Sequence, residues 1–287
     1  MYINLSEIAS KFNEHSISSN YFQVSKLQFE NKIREYYESG KSQFRLGDRA
    51  QEFSLPYLSQ GQVDSPNLFG MNELILFAYY ELTVGYKYKK VLDLGANIGL
   101  HTILLSMLGA RVTAVEPDPL TFQELSNNVA DELPNHKVNL INAAACTKDL
   151  KSVQFLRVMQ NRTGSHLLGA RELLPYGGFE EISVPGLSIK GLLYESYDLV
   201  KIDVEGSEAD LLCSFDLDLF PETSYMVEIG SEVNAKKIWN HVNKCGFNAF
   251  SQKNGWKKVL DAFELPIHHS EGTLFITREN IMHWSIQ

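Results

Sequence analysis

Short apolar runs that alternate with helical segments constrain the fold of this 287-residue chain more than any other feature. Five runs have the composition of strands: VLDLGA from Val91, RVTAVEP from Arg111, VNLINAA from Val138, LVKIDV from Leu199 and SYMVEIG from Ser224. Each run is apolar on both faces, as expected for parallel strands that helices cover from both sides. The alternation predicts βαβ units and an α/β fold with a doubly wound, mostly parallel sheet.

The chain divides by composition into two parts. Residues 1–70 are polar, and apolar spacing over residues 23–38 predicts one helix that ends before Gly40. We expect a helical and irregular N-terminal extension that acts as a cap or as a dimerisation arm, so a homodimer is one expected partner. Residues 71–287 form the predicted core domain, with a long insert at 147–197 and a terminal antiparallel strand pair.

Composition and charge exclude several function classes. The net charge of −9 disfavours a nucleic-acid partner, because the surface as a whole repels polyanions. The three cysteines form no C-x-x-C pair, which argues against a disulfide framework or a zinc site. The N-terminus lacks the pattern of a secretion signal, and no apolar run has the length of a membrane span. The expected compartment is the cytoplasm, and the expected partner is a small molecule.

The string VLDLGANIGLHT carries the first functional signal. Gly95 and Gly99 stand at a turn from strand to helix, where a missing side chain lets the backbone approach a ligand closely. The spacing does not match G-x-G-x-x-G, the fingerprint of dinucleotide enzymes. Asp93 would repel a phosphate but would pair with the ammonium group of an amino-acid cofactor. This loop therefore favours S-adenosylmethionine over a nicotinamide dinucleotide.

Two further polar positions follow the next two strands. Glu116, before Pro117, has the spacing from the glycine loop of an acid that hydrogen-bonds the hydroxyls of a ribose. Asn142 follows the third strand, and its amide can both donate to and accept from an adenine edge. The carboxyl ends of parallel strands meet at one edge of a sheet, so we expect these groups to form one cofactor site.

The strings VLDLGANIGLHT, AVEPDP and above all LVKIDVEGSE resemble the FkbM family of methyltransferases, over roughly residues 73–277. The resemblance implies a class I, Rossmann-like methyltransferase fold with a mostly parallel, seven-stranded sheet and helices on both faces. It also implies transfer of a methyl group from S-adenosylmethionine to a hydroxyl, with sugars and secondary metabolites as substrates. One departure is Lys190, which stands where the family usually has an aspartate.

The resemblance places the cofactor at a defined set of positions. The predicted cofactor-binding residues are Glu73, Asp93, Gly95, Asn97, Gly99, His101, Thr102, Glu116, Pro117, Asn142 and Asp203. Among them, His101 and Thr102 fall where a helix N-terminus would meet the methionine carboxylate.

Methylation of a hydroxyl requires that its proton be removed. The candidate catalytic residues are Asp203, Glu205, Glu228 and His166. Asp203 and Glu228 end neighbouring strands and could also hold Mg²⁺, which prefers oxygen ligands, so a metal-assisted and a metal-free reaction both stay open. Glu205 could instead stabilise a helix N-terminus, which is the favoured interpretation of Glu208.

These observations predict an S-adenosylmethionine-dependent O-methyltransferase that acts on a hydroxyl of a saccharide or of a saccharide-bearing or secondary metabolite. Two alternatives stay open. One is methylation of another small-molecule acceptor, an amine or a nucleotide. The other is a module that binds S-adenosylmethionine without catalysis.

Overall fold

The computed structural model describes residues 1–59, 61–135, 138–171 and 178–284. Its helices are α1 (Leu5–Ser10), α2 (Asn20–Glu38), α3 (Met71–Thr83), α4 (Leu100–Met107), α5 (Pro119–Glu132), α6 (Ile189–Leu193), α7 (Glu208–Leu212) and α8 (Glu232–Lys244). Its strands are β1 (Tyr2–Ile3), β2 (Gln43–Leu46), β3 (Phe53–Ser54), β4 (Lys90–Leu94), β5 (Arg111–Val115), β6 (Val138–Ile141), β7 (Ala144–Cys146), β8 (Leu150–Val158), β9 (His166–Leu167), β10 (Phe179–Ser188), β11 (Leu199–Ile202), β12 (Ser224–Glu228), β13 (Asn248–Ser251), β14 (Lys257–Lys258) and β15 (Thr273–Thr277).

The main sheet confirms the predicted α/β class. Its strand order is β14-β13-β15-β12-β11-β4-β5-β6. The strands from β12 to β6 pair in parallel, whereas β15 runs antiparallel to both of its neighbours. The sheet has one strand more than the seven expected, because β14 adds a two-residue edge. So short a strand leaves no periodic pattern in the sequence.

Helices cover both faces of the sheet, and alternate strand residues enter two hydrophobic clusters. Val91 of β4 and Met226 of β12 belong to a cluster with α3 and α4, while Leu92 and Val227 belong to a second cluster that includes residues of α7 and α8. Because side chains alternate along a strand, Asp93 projects to the same face as Val91. The polar side chain at the end of β4 therefore lies on the face of the sheet that α3 and α4 cover.

The segment before the core starts its main helix earlier than the apolar spacing predicts. Helix α2 begins at Asn20, because the Ser19 side chain caps it by accepting a hydrogen bond from the Phe22 N–H at 3.0 Å. The helix ends at Glu38, and Gly40 follows with φ +74°. This left-handed conformation is the one that commonly terminates a helix.

The N-terminal extension packs into the same hydrophobic cluster as the core helices. The rings of Phe44 and Phe69 stack with centroids 4.4 Å apart, and both side chains are fully buried. The buried His15 ring accepts a hydrogen bond at Nδ1 from the Trp256 Nε1–H at 2.9 Å. Contacts of this kind join the extension to the C-terminal part of the chain. Its role as a cap or as a dimerisation arm stays a prediction.

The insert contributes a second sheet with the order β7-β10-β8-β9. Arg157 of β8 anchors this sheet to the start of α5, where its guanidinium donates two hydrogen bonds to the Asp118 carboxylate at 2.6 and 2.8 Å. Asp118 also caps α5 by accepting from the Leu120 N–H at 2.9 Å. The insert is thereby fixed beside the loop that contains Glu116. Among the described residues, no helix is both long and apolar enough to cross a membrane.

If the extension shares the core, Phe44→Ala should destabilise the whole molecule. We expect the free energy of unfolding to fall by about 3–5 kcal/mol, because the substitution leaves a cavity among buried rings. Phe263→Ala is the matched control, since Phe263 is 85% exposed. Calorimetry and denaturant titration measure both. Two separate unfolding transitions, with only the first affected by Phe44→Ala, would contradict the shared core.

Candidate active site

A cavity of about 330 Å³ opens at the carboxyl ends of the parallel strands. The residues around it come from the strand ends, the extension, the insert and the C-terminal part: Val63, Asn67, Leu68, Glu73, Gly95, Ala96, Asn97, Ile98, Leu100, His101, Val115, Glu116, Pro117, Thr121, Ala144, Ala145, Phe155, Arg162, Thr163, Ser165, Leu167, Lys201, Asp203, Val204, Glu205, Glu228 and His269. Open α/β sheets bind ligands at this edge. The cavity therefore brings together most of the predicted site residues.

The loop after β4 approaches the loop after β11 so closely that only glycine fits at one position. Gly95 has φ +77°, and a Cβ atom there would lie 1.7 Å from the backbone oxygen of Asp203. Gly99 serves a different purpose, because it is the N-cap residue of α4 with φ +98°. It is not among the described residues that line the cavity. Gly95 thus brings the two loops together, whereas Gly99 allows the turn into α4.

Glu116 lies buried at the end of β5 with its carboxylate held by the backbone. Its Oε2 accepts from the Asn97 N–H at 3.0 Å and its Oε1 accepts from the Asp118 N–H at 2.9 Å. Burial raises the pKa of Glu116 to about 7, against the opposing effect of these two hydrogen bonds. The carboxyl group therefore changes charge near neutral pH.

Asn142 supports the cavity wall from behind. Its amide nitrogen donates to the backbone oxygens of Glu116 at 2.9 Å and Pro117 at 3.1 Å. Pro117 lines the cavity, but Asn142 is not among the described lining residues. The structure thus uses the amide nitrogen to hold the loop. The contact of Asn142 with adenine stays a prediction. The hydrogen bonds to the backbone do not favour it, because they already occupy the amide nitrogen.

Asp93 is fully buried at the end of β4, next to the Lys201 ammonium group, and is not among the described residues that line the cavity. Its Oδ2 accepts from the Thr102 hydroxyl at 2.7 Å, while Oδ1 has no hydrogen-bond partner among the described residues. Oδ1 lies 3.7 Å from the Lys201 Nζ atom, so its charge is compensated although it accepts no hydrogen bond, and it can still accept one from a cationic ligand group. Thr102 is itself fully buried behind Asp93, so its hydroxyl supports this carboxylate and does not line the cavity.

His101 lies on the cavity wall between two polar partners. Its Nε2 lies 2.7 Å from Oε2 of Glu73, and its Nδ1 lies 3.2 Å from the Tyr80 hydroxyl. Glu73 and Tyr80 both belong to α3, so this helix fixes the orientation of the imidazole. Glu73 and His101 are both predicted to bind the cofactor, and both line the cavity. In this structure, however, their side chains contact each other.

Three titratable side chains, those of Lys201, Asp203 and Glu228, meet on the wall of the cavity. The Lys201 Nζ atom lies 3.0 Å from Oδ2 of Asp203, and the Asp203 and Glu228 side chains share a hydrogen bond. Burial and the negative charge of Asp203 raise the pKa of Glu228 well above its usual range. Burial alone would raise the pKa of Asp203 as well, but Lys201 and the hydrogen bond with Glu228 hold it below its usual value. Lys201 thus favours the ionised form of Asp203, whereas burial and the neighbouring Asp203 favour the protonated form of Glu228.

The remaining catalytic candidates are placed less favourably. Glu205 lines the cavity, but its carboxylate forms an ion pair with Arg171. His166 is buried and its Nδ1 lies 2.8 Å from the Gly164 oxygen. It is not among the described lining residues, although both of its neighbours in sequence are. Burial lowers the pKa of His166, so it is neutral at pH 7. A general-base role of His166 stays a prediction without geometric support.

Glu208 has a structural role at the start of α7, in agreement with the interpretation favoured by the sequence. It is the first residue of α7, and its Oε1 accepts hydrogen bonds from the N–H groups of Gly206 at 2.8 Å and Val204 at 3.2 Å. It therefore holds the loop that carries Glu205.

Lys201 and Tyr80 are site residues that sequence reasoning missed. A signal for Lys201 was present, because a lysine inside the apolar strand LVKIDV has to find a buried partner. Tyr80 gave no signal, since tyrosines at helical spacing are common in hydrophobic cores.

The residues present fit S-adenosylmethionine better than they fit a metal ion. Oδ1 of Asp93 has no hydrogen-bond donor among the described residues and can take one from an ammonium group, the Gly95 turn leaves the backbone bare, and Glu116 offers a carboxylate to a ribose. Within the described ranges, no group of three or more His, Cys, Asp and Glu side chains is placed to hold a metal ion. The Mg²⁺ prediction for Asp203 and Glu228 therefore has no geometric support.

Gly95→Ala tests the close approach of the two loops. We expect a loss of stability larger by at least about 1–3 kcal/mol than that of Gly40→Ala, because the new methyl group would collide with the Asp203 backbone. Gly40→Ala is the matched control, since Gly40 has φ +74° and open space around its Cα, so it pays only the conformational cost of about 1–2 kcal/mol. Denaturant titration measures both variants. Equal losses would contradict the close packing at Gly95.

Comparisons with known proteins agree with the geometry of the cavity. A family model described as the methyltransferase FkbM domain matches residues 93–249. No curated protein matches the sequence.

Three solved structures illustrate the structural similarity. Precorrin-6y C5,15-methyltransferase from Geobacter metallireducens GS-15 is 14% identical over 72% of this chain and 87% of that chain, with a TM-score of 0.38. A SAM-dependent methyltransferase from Agrobacterium tumefaciens is 10% identical over 85% and 80%, with a TM-score of 0.41. The tRNA (uracil-54, C5)-methyltransferase of Pyrococcus abyssi in complex with S-adenosyl-L-homocysteine is 14% identical over 82% and 43%, with a TM-score of 0.37.

The family match covers more than half of the chain and runs from the end of β4 through β12, so it includes the strand ends that form the cavity. The chain belongs to the FkbM family of S-adenosylmethionine-dependent methyltransferases and has a class I, Rossmann-like α/β fold.

Proposed function

We propose that this methyltransferase transfers a methyl group to a hydroxyl oxygen of a saccharide or of a saccharide-bearing metabolite. The observation that carries the proposal is the position of the Asp203 carboxyl group on the cavity wall, with the Lys201 Nζ atom 3.0 Å from its Oδ2. A sugar hydroxyl is a weak acid, and a positioned base lowers the cost of removing its proton. Asp203 supplies such a base without a metal ion.

The cofactor is assigned to the side of the cavity formed by the loops after β4 and β5. Oδ1 of Asp93, which accepts no hydrogen bond from the described residues, would accept one from the ammonium group of the methionine part. Glu116 would accept hydrogen bonds from the ribose hydroxyls, and the bare backbone at Gly95 leaves room between them. When bound there, S-adenosylmethionine supplies an electrophilic methyl group for an in-line displacement.

The acceptor is assigned to the side of the cavity lined by Glu73, Asp203 and Glu228. A second, smaller cavity shares these three residues and Lys201, and it extends towards Asn72 and Thr273. Carboxyl and amide groups of this kind hydrogen-bond neutral hydroxyl groups well. The same acidic wall disfavours a phosphate-bearing nucleotide, because like charges repel.

An amine is the second candidate acceptor, and the number of carboxyl groups favours it. Glu73, Asp203 and Glu228 could together attract an ammonium group. A neutral amine is already a nucleophile, however, and would not need Asp203 to remove a proton before methyl transfer. The two acceptor classes therefore differ in how strongly the reaction depends on Asp203.

The Glu116 assignment predicts that cofactor affinity depends on pH. Ribose hydroxyls donate to the carboxylate, so binding favours its ionised form. Affinity for S-adenosylhomocysteine should be full above about pH 7 and should weaken as the pH falls below it, by up to about tenfold per pH unit. Isothermal titration at pH 5.5 to 8.5 measures the effect, and Glu116→Gln should remove most of it.

Asp198→Asn is the matched control for Glu116→Gln. Asp198 also accepts hydrogen bonds from two backbone N–H groups, those of Lys89 at 2.7 Å and Lys90 at 2.9 Å. It lies at the opposite, amino end of the strands, so the variant should keep the pH dependence of the native protein. If Glu116→Gln binds with the same pH profile as the native protein, the ribose assignment is wrong. If the native protein does not bind S-adenosylhomocysteine at all, the binding site itself is rejected.

The Asp203 assignment predicts a large kinetic effect with hydroxyl acceptors. Incubation with S-adenosylmethionine labelled on the methyl group should transfer label to members of a saccharide panel. Asp203→Asn should lower the rate by about 10²–10⁴-fold, the usual contribution of a general base. Asp210→Asn, on an exposed carboxylate of α7, is the control and should react normally. Label on amines only, with little effect of Asp203→Asn, would replace the hydroxyl proposal with the amine one.

A further inference from the structure

Lys201 occupies the centre of the main sheet and points into its polar end. In the pairing of β11 with β4, Lys201 lies directly opposite Asp93. Residues opposite each other on parallel strands project to the same face, and so does Asp203, two positions further on. Only 6% of the Lys201 side chain is exposed. The register thus places a buried ammonium group between the two acids.

The distances show that the ammonium group serves both carboxylates. Its Nζ lies 3.0 Å from Oδ2 of Asp203, which is a charged hydrogen bond, and 3.7 Å from Oδ1 of Asp93. Burial would lower the pKa of Lys201, but Asp203 and Asp93 outweigh burial and raise it above its usual value. A buried ammonium is tolerated only when it is paired in this way. A positive charge is therefore already built into the acceptor end of the cavity.

Two of the other carboxylates near this position already have partners, since Glu73 binds His101 at 2.7 Å and Glu205 pairs with Arg171. Mg²⁺ takes about six oxygen ligands in octahedral geometry, and it keeps several waters while one or two carboxylates bind it. An ammonium 3.0 Å from one of the few available oxygens would also repel a divalent ion. The chemistry of these donors does not fit a metal, although the acids alone suggested one.

We propose that the Lys201 ammonium group fills the cation position at the acceptor end of this site, so that Lys201 is a positioning residue for Asp203 and excludes divalent metal ions. The proposal rests on the proposed role of Asp203 as the base. Lys201 holds the Asp203 carboxylate in one orientation and links it to Asp93 on the cofactor side. Removal of the ammonium group should leave two carboxylates without a counter-charge.

Manganese(II) is a suitable probe, because electron paramagnetic resonance counts free and bound ions without any methyl acceptor. The titration is performed at pH 7.5, with and without S-adenosylhomocysteine, on the native protein, Lys201→Ala, and Lys201→Ala combined with Asp203→Asn. The native protein should bind no manganese at this site. Lys201→Ala should bind about one ion per chain, roughly tenfold or more tightly than any nonspecific binding by the native protein, because repulsion by the ammonium group is removed.

The controls separate this proposal from the proposed function. Lys90→Ala removes a lysine that lies 4.0 Å from Glu195 at the opposite end of β4, and it should bind no manganese. Lys201→Arg keeps the charge and should exclude the ion as the native protein does. Binding of S-adenosylhomocysteine reports whether each variant is folded, and its failure in the native protein would reject the proposed function while the manganese comparison stays valid.

Two results would overturn the proposal. One is tight manganese binding by the native protein that is lost in Asp203→Asn, since the ammonium group would then not exclude the ion. The other is that Lys201→Ala, folded as judged by circular dichroism, binds no manganese, since the position would then not be a cation site. Gain of the ion in Lys201→Ala and its loss in the double variant support the proposal.

Discussion

The parallel pairing of β4, β11 and β12 is the constraint on which the site depends. Their register places Asp93, Lys201 and Met226 side by side, and two residues further along the chain Asp203 and Glu228 follow on the same face. Because the interior of an α/β sheet is otherwise apolar, these charges are stable only where they neutralise one another. Helices α3 and α4 then cover this face and add the Glu73–His101 pair. Backbone hydrogen bonding thus determines which charges meet.

Local patterns in the sequence were sufficient to predict the central part of the fold. The runs VLDLGA and LVKIDV are apolar on both faces and form β4 and β11, and Asp93 and Glu116 lie where strands end. Their positions follow from short-range rules, namely the alternation of side chains and the convergence of strand ends. The FkbM resemblance rests on the same segments, so strand patterning and family resemblance point to the same residues.

Contacts between distant segments could not be predicted in this way. Neither the ion pair between Glu205 and Arg171 nor the burial of His166 has a local signature, because each depends on how the insert packs. Thr102 and Asn142 contact other predicted site residues and are not among the described residues that line the cavity, because sequence alone does not reveal which neighbouring group a side chain will bind. The same holds for the extension, whose polar composition gave no sign that Asn67 and Leu68 line the cavity.

The hydrogen bond between His15 and Trp256 has a consequence for the order of events during biosynthesis. The two residues are 241 positions apart, and the His15 ring also packs edge-on against Trp284 at 5.0 Å. A chain emerging from the ribosome has to complete its C-terminal part before this contact can form, and contacts of such sequence separation form slowly. The stack of Phe44 on Phe69, by contrast, lies within the extension and is available early in translation. The extension can therefore assemble its own contacts first and be joined to the C-terminal part last.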